Sequence, residues 1–283
     1  MVERKLNEDN EPMKIGIIGC GWLGKALTKK LVSNHYLVVA TTQKQENLTN
    51  ISALGAQAEQ LILPLKSDEG NNAAVFYCDV LVVCLTPQLR RGKTDYAEKI
   101  TQIVQHAQRG CVKKIILIST TAIYDGIIGK ATENTPLKRH INKVDILAQA
   151  EQEVLAFTGK SVVMRCGGLV GEGRHPGKFF GQNKQLSAPN AYVNLIHQID
   201  VVNQIFAFIE SNLCEGIFNA VSEMEVTKKH YYSIAANALN LPQPTFDKDS
   251  EVELGKQVIG NKLRDSLPYQ YQHNDLVTWL FQK

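Results

Sequence analysis

Short apolar runs alternate with longer amphipathic stretches from Met13 to Arg165. Ile15, Ile17 and Ile18 make a first strand, and Leu23, Leu27 and Leu31 then recur at helical spacing. Leu37–Thr42 reads as a second strand and Leu61–Leu63 as a short third. Val80–Leu85 is apolar throughout, the pattern of a parallel strand covered on both faces. A helix over Asp95–Gln108 leads to a strand at Lys114–Ser119, and a helix over Asn142–Ala156 leads to another at Ser161–Arg165. Strands alternating with helices predict right-handed crossovers and an α/β fold built on a doubly wound parallel sheet.

After Arg165 the rhythm breaks. Gly167, Gly168, Gly171, Gly173, Pro176 and Gly177 crowd one stretch, the apolar run Val193–His197 precedes a helix after Asp200, and the remainder mixes short helices with turns. The expected organisation is a disordered polar leader over 1–12, a core domain over 13–165, and a smaller C-terminal substrate lobe over 166–283 with a segment near 197–214 returning to the core. The lobe is expected to close over the C-terminal edge of the sheet, where open α/β sheets bind ligands.

Composition narrows the classes. A net charge of +3 over 283 residues is small and dispersed, which argues against a nucleic-acid partner. No apolar stretch approaches the roughly 20 residues of a membrane helix. The leader has no apolar signal core, so the cytoplasm is the expected location. Cys20, Cys78, Cys84, Cys111, Cys166 and Cys214 form no Cys-x-x-Cys, and the seven histidines form no ligand-spaced cluster. Buried reduced thiols and no metal site are expected.

The chemistry concentrates where the first strand meets the first helix, in Gly19-Cys20-Gly21-Trp22-Leu23-Gly24. Strand, Gly-x-Gly-x-x-Gly and helix, in that order, are the parts of a Rossmann dinucleotide site. Gly19 permits the tight turn, Gly21 leaves room for a pyrophosphate, and Gly24 lets the helix approach the strand. The first helical N–H groups, from Trp22 and Leu23 onward, face the anion. At the end of the second strand Thr41-Thr42-Gln43-Lys44 holds no carboxylate to bond a ribose 2′-hydroxyl, and Lys44 can offset a 2′-phosphate. That favours NADP over NAD; the plainer alternative is a solvated lysine at the start of a loop. Leu85, ending the fourth strand, is a further cofactor candidate, and Thr86 and Pro87, just past it, should pass near the adenosine half of the cofactor.

Further on, Ser119-Thr120-Thr121-Ala122-Ile123-Tyr124 and then Glu133-Asn134-Thr135-Pro136 resemble the Val-Tyr-Gly and Glu-x-x-Pro stretches of the extended short-chain dehydrogenases/reductases, the NAD-dependent epimerase/dehydratase family. Arg165-Cys166-Gly167 through Arg174-His175-Pro176, Asn194-Leu195-Ile196-His197 with Asp200, and Gly216-Ile217-Phe218-Asn219-Ala220 are similar to later motifs of the same family. The compact glycine pattern resembles its atypical, nucleoside-diphosphate-sugar epimerase-like branch. The resemblance implies a small-molecule substrate, NADP or NAD as cofactor, and often a homodimer.

It also implies a Tyr-x-x-x-Lys pair on the helix after the fifth strand, and that pair is absent. Aligning Glu151 with the family's helix glutamate puts Lys143 at the tyrosine position and Leu147 at the lysine position. Thr120, four residues before Tyr124, matches the residue that orients the substrate oxygen. Lys143, His140 and Tyr124 are the candidates for the missing proton transfer, each with a plainer alternative: an exposed helix lysine, a surface histidine and a packing tyrosine. Arg174 and His175 are expected at an anionic ligand, or Arg174 in a bracing salt bridge. Asn194 and His197 are expected to be structural, joining core and lobe, and Asp200 to cap the helix starting at Val201. The expected function is reversible hydride transfer on a small hydroxyl- or carbonyl-bearing, anionic substrate; the rival is a non-catalytic NADP(H) sensor or interaction module.

Overall fold

The computed structural model describes residues 5–7, 10–66, 72–180, 185–211, 215–247 and 255–282. Its first half runs β1 (Lys14–Ile18), α1 (Trp22–Ser33), β2 (Leu37–Thr42), α2 (Leu48–Ser52), β3 (Gln57–Gln60), β4 (Val80–Val83), α3 (Tyr96–Arg109) and β5 (Lys114–Thr120). Then come β6 (Gly129–Ala131), α4 (Asn142–Leu155), β7 (Lys160–Cys166), β8 (Gly168–Val170), β9 (Leu195–His197), α5 (Gln198–Glu210) and β10 (Gly216–Ala220). The last elements are α6 (Lys228–Asn237), β11 (Lys256–Val258), α7 (Asn261–Ser266) and α8 (Leu276–Trp279).

Seven strands form one sheet in the order β10-β7-β5-β4-β1-β2-β3. β1 pairs in parallel with both β2 and β4, Ile15 standing beside Val38 on one side and Val80 on the other. Strand order therefore reverses at β1, the topological switch point beside which such sheets bind ligands. The apolar run of β4 is buried at all four residues, as a strand covered on both faces must be. On α3, Ile100, Ile103, Val104 and Ala107 are all buried, so the helical spacing in the sequence is the spacing of its core face.

The expected third strand at Leu61–Leu63 is displaced: β3 is Gln57–Gln60, and among the described residues it pairs only with β2, at the sheet edge. An edge strand does not need an apolar run. Its ends are exposed, while Leu61 and Leu63 bury themselves just past it. The carboxylate of Glu59 in β3 accepts from the N–H groups of Ala74 and Val75 at 3.0 and 3.1 Å.

The chain divides into two compact units: Met1–Ser119 with Asp145–Met164 and Ile205–Ile217, and Thr120–Val144 with Arg165–Gln204 and Phe218–Lys283. Against the expected boundaries, 120–144 falls with the second unit, and the returning segment is 205–217 rather than 197–214. Within the first unit, Lys114 is 3% exposed. Its ammonium donates to the carbonyl of Phe208 at 2.9 Å and to that of Ser211, so the end of α5 neutralises a buried cation. The leader, expected to be disordered, has contacts in its described part: Leu6 bridges Pro12, and Asn7 Nδ2 donates to Asp79 at 3.1 Å. Residues 1–4 and 8–9 of it lie outside the described residues.

The second unit has its own core, in which Val170, Val193, Leu195, Tyr231, Ala235, Leu276 and Leu280 pack together. Two small parallel pairs frame it, β8 with β9 and β6 with β11. Cys20, Cys78 and Cys166 are buried free thiols, but Cys111 is exposed and Cys84 half-buried, so the expectation of burial holds for only part of the set; Cys214 lies outside the described residues.

Candidate active site

Gly19 sits at φ +94°, a left-handed conformation that glycine adopts without strain, and α1 begins three residues later at Trp22. A Cβ on Gly24 would stand 2.5 Å from the carbonyl oxygen of Gly19, so helix and loop touch backbone to backbone. Gly21 is different: a Cβ there would meet nothing within 4 Å. Nothing inside the protein requires glycine at that position, whereas a pyrophosphate lying against the backbone would. Gly21 is also the N-cap of α1, supplies no side-chain acceptor, and is followed by no acid in the first turn. Backbone donors and the positive end of the helix dipole are thus left for an anion. The loop fits a dinucleotide diphosphate.

Neighbouring strands hold this loop. Thr41 accepts from Gly19 N–H through Oγ1 at 3.3 Å and from Cys20 N–H through its carbonyl at 2.7 Å. Cys84 N–H donates to Ile18 at 2.8 Å, and Leu85 packs beside Gly19. Of the expected adenosine-side residues, Thr42 Oγ1 accepts from Lys44 N–H at 3.2 Å, the Gln43 carbonyl accepts from Gln60, and Thr86 is exposed beside half-buried Pro87. Lys44 is paired with Glu46 at 3.0 Å, both side chains more than two-thirds exposed. Thr41–Lys44 holds no carboxylate of its own; Glu46, reaching back from the next turn, supplies one.

The motif residues of the second unit converge on a buried polar node. Tyr124 is fully buried; its phenol oxygen accepts from Arg165 Nη1 at 2.7 Å, and its O–H donates to Asn219 Oδ1 at 2.8 Å. Asn219 donates from Nδ2 to the Ile259 carbonyl at 2.9 Å and from its backbone N–H to Glu133 at 2.7 Å. Burial pushes the Tyr124 phenol up, against the opposing pull of Arg165. Tyr124, Glu133, Arg165 and Asn219 each come from a different stretch of the family resemblance, and together they form one brace. The phenol expected as a proton donor is committed to this brace, because both its bonds go inward.

Thr120 Oγ1 accepts from Ala122 N–H at 3.2 Å, leaving its own O–H to donate. Lys143 is nearly half exposed and lies 2.5 Å from the Asp125 carboxylate. Leu147, at the position where the family places lysine, is fully buried. His140 is exposed. In the first unit, Ser119 donates to the buried carboxylate of Glu151 at 2.6 Å, a link between residues 32 positions apart that no sequence motif signals.

The remaining expected ligand residues divide. Arg174 is exposed and its N–H closes a turn onto Gly171 at 2.9 Å. His175 accepts from Gly177 N–H through Nδ1 at 3.1 Å, so its Nε2 donates to the Leu280 carbonyl at 3.2 Å while the ring stacks on Trp279. That occupies both nitrogens, and His175 is a tie to the C-terminal segment rather than a free ligand. Asp200 does not cap a helix, since α5 already begins at Gln198. Its fully buried carboxylate instead accepts from Tyr269 O–H and Gln272 N–H, both at 2.6 Å, and from His273 N–H at 3.1 Å. His197 is buried against His273 and Trp279; burial first, then His273, pushes its imidazole down to about 4. Asn194 donates to the Lys256 carbonyl at 3.0 Å and accepts from Val258 N–H at 2.7 Å, all within the second unit. Among the described residues no helix is long and apolar enough to cross a membrane, and no three His, Cys, Asp or Glu residues are grouped to hold a metal ion.

Strand reversal at β1 and an uncapped helix above an open glycine define a Rossmann-type nicotinamide-dinucleotide-binding protein. The chain belongs to the NAD(P)H-binding family, which it matches over residues 19–208. It is 29% identical over 269 residues to Protein YeeZ of Escherichia coli K12, spanning 93% of this chain and 97% of that one. Among solved structures, a human epimerase family protein with NADPH superposes with a TM-score of 0.71 at 16% identity, covering 95% of this chain and 98% of that one. The UDP-glucuronic acid 4-epimerase of Bacillus cereus, solved with UDP-glucuronic acid and NAD, gives 0.74 at 18% identity, covering 95% and 96%. The NAD(P) cofactor read from the sequence is borne out by the family match, and the doubly wound Rossmann-type fold by the superposed structures.

Proposed function

We propose that the chain is an NADP(H)-dependent oxidoreductase or epimerase-type enzyme that exchanges hydride reversibly with a hydroxyl or carbonyl carbon of a small anionic substrate. The open space at Gly21 beside the uncapped start of α1 carries this reading. The nicotinamide supplies the hydride when bound; the chain's own side chains must bind the substrate and handle its proton. Thr120 retains a hydroxyl proton for a substrate oxygen. Lys143, paired with Asp125, occupies the helix position where the resemblance expects the acid. Arg174 is exposed and presents a fork suited to a phosphate or carboxylate. The buried phenol of Tyr124 is left out of this scheme.

The preference for NADP rests on Lys44. An exposed pair such as Lys44–Glu46 is worth about 0–1 kcal/mol, so a 2′-phosphate can recruit the lysine at little cost. The anionic substrate class draws support from the Bacillus cereus protein solved with UDP-glucuronic acid.

A second reading, a non-catalytic NADP(H) sensor, is favoured by Leu147, which can neither lower a phenol's pKa nor bond a ribose. The two part in one experiment. NADPH is incubated with the protein and a panel of UDP-sugars, sugar phosphates and simple carbonyls, and its absorbance is followed. Steady depletion that slows on Thr120→Ala supports the enzyme. Binding with a fluorescence change, no depletion, and no conversion of the sugars when oxidised cofactor replaces NADPH supports the sensor; sugar conversion without depletion supports an epimerase.

A further inference from the structure

Hydride arriving at a carbonyl carbon drives an electron pair onto the oxygen, which must take a proton from a group beside it. The groups placed so far are poor sources. Both bonds of the Tyr124 phenol go inward, Lys143 closes its ammonium on Asp125 at 2.5 Å, and His140 is exposed. The second unit also contains a cavity of about 570 Å³, and small-molecule sites hold roughly 300–1,000 Å³. Its wall takes in Tyr124 and Asp125, at the end of the turn that Thr120 caps, together with Tyr192, Lys228 and Lys256.

Lys256 opens β11, and the backbone there is held on both edges. On one, β11 pairs with β6, Lys256 standing opposite Gly129; on the other, Asn194 donates to the Lys256 carbonyl at 3.0 Å and accepts from Val258 N–H at 2.7 Å. Side chains alternate along the strand. Gln257 lines the unit's other cavity, of about 430 Å³, and donates to Glu225 at 2.9 Å, whereas Lys256 lines this one. A strand fixed in this way places a side chain more precisely than a loop does. Among the described residues no acceptor bonds the Lys256 ammonium. Burial pushes its amine down from the ordinary 10.5 to about 8; Asp125 opposes that shift, while Lys143 and Lys228 add to it. The other ionisable groups on the wall are the phenols of Tyr124 and Tyr192.

We propose that Lys256 moves the substrate proton in the hydride exchange, from its place on the wall of this cavity. In reduction, hydride forms the new C–H bond and the carbonyl electron pair moves onto oxygen. One N–H bond of the Lys256 ammonium breaks as the O–H bond forms, leaving a neutral amine that solvent reprotonates. In oxidation, the neutral amine takes the hydroxyl proton while hydride leaves the carbon for the oxidised nicotinamide. The role rests on the oxidoreductase reading above and supplies the residue that Leu147 and the committed phenol leave wanting.

Two measurements test it. The first needs neither cofactor nor substrate. Competitive acetylation with acetic anhydride from about pH 6 to 10, read by mass spectrometry, should give Lys256 a midpoint near 8. Asp125→Asn should move that midpoint down and Lys228→Met should move it up. A Lys256 that titrates near 10.5, or takes no label, overturns the proposal. The second uses whichever member of the panel above the wild type turns over. For reduction, kcat/KM should fall as pH rises through about 8; for oxidation of the corresponding alcohol it should rise over the same range. Where the wild type interconverts sugars instead, oxidation comes first and the rate should likewise rise. Lys256→Met should lower kcat about 10²–10⁴-fold, and Lys256→Arg about as much, because a guanidinium keeps its proton. Both variants should lose the inflection near pH 8 while NADPH affinity and thermal midpoint stay at wild-type values. If Lys256→Met does not fold, Lys256→Arg and the acetylation midpoint decide. Variants that keep wild-type kcat or the inflection overturn this inference and leave the oxidoreductase reading standing. A wild type that turns over no member of the panel sinks that reading, and this role falls with it whatever the acetylation midpoint.

Discussion

Replacing Tyr124 with phenylalanine separates a structural phenol from a catalytic one. The ring is fully buried, so Tyr124→Phe keeps its packing and opens no cavity; the Arg165 guanidinium, 5.0 Å above the ring centre, keeps its place. What disappears is the oxygen, with its bonds from Arg165 at 2.7 Å and to Asn219 at 2.8 Å. Losing a partner costs about 1.5–3 kcal/mol when the remaining group is charged and about 0.5–1.5 kcal/mol when it is neutral. Both groups are buried, at 3% and 0% exposure, so water does not replace the oxygen. Together they make about 2–4.5 kcal/mol of destabilisation. Urea unfolding followed by circular dichroism should show the midpoint falling with an unchanged slope, because the exposed surface is the same. A loss below about 1 kcal/mol would refute the brace, given its two buried bonds. Abolished NADPH turnover in a variant of wild-type stability would refute the assignment more directly, by returning the phenol to the chemistry.

Three further substitution sets follow from the same geometry. Gly21→Ala should leave stability within about 0.5 kcal/mol, its Cβ meeting nothing, yet weaken NADPH binding in a fluorescence titration; Gly24→Ala should cost about 1–3 kcal/mol of stability by driving a Cβ to 2.5 Å from the Gly19 carbonyl. Lys44→Ala should weaken NADPH more than NADH, and Glu46→Gln should strengthen NADPH by freeing the lysine; equal effects on the two cofactors would remove the basis for preferring NADP. His197 has its imidazole lowered from 6.5 to about 4, so the unfolded chain binds the extra proton first as pH falls. Its contribution is therefore complete above pH 6.5 and drains away toward pH 4, on the order of 3 kcal/mol in all. His106, lowered by burial, acts in the same direction. Urea titrations at pH 7 and pH 4.5 should show a smaller loss in His197→Gln than in the wild type.

The strands and helices around the sheet were legible because their residues report on near neighbours. The buried face of α3 and the four apolar residues of β4 carry their periods in plain view. The glycine loop was legible for the same reason: turn, approach and helix start fall within six residues. Roles were less legible than positions. Tyr124, Asp200 and His175 were singled out, but their partners lie 41 to 105 positions away, at Arg165, Asn219, Tyr269, Gln272 and Leu280, and only folding shows that those bonds exhaust them. β3 was missed because an edge strand needs no apolar run. Lys256 had no signal at all: one lysine in a polar stretch, made unusual by Asp125, Lys143 and Lys228 arriving from three other segments.

The buried ammonium of Lys114 bears on how this chain tolerates being cut. An expression boundary drawn at residue 165, where the apolar rhythm ends, would remove Phe208 and Ser211 and leave that cation with neither carbonyl. It would equally part Arg165 from Asn219, the two ends of the phenol's bonds. Each unit is completed by chain translated after the other has begun, so neither half is a cassette that recombination could lift out whole. A ribosome must pass Ile217 before the first half has its last segment, and deliver almost the entire polypeptide before the second does.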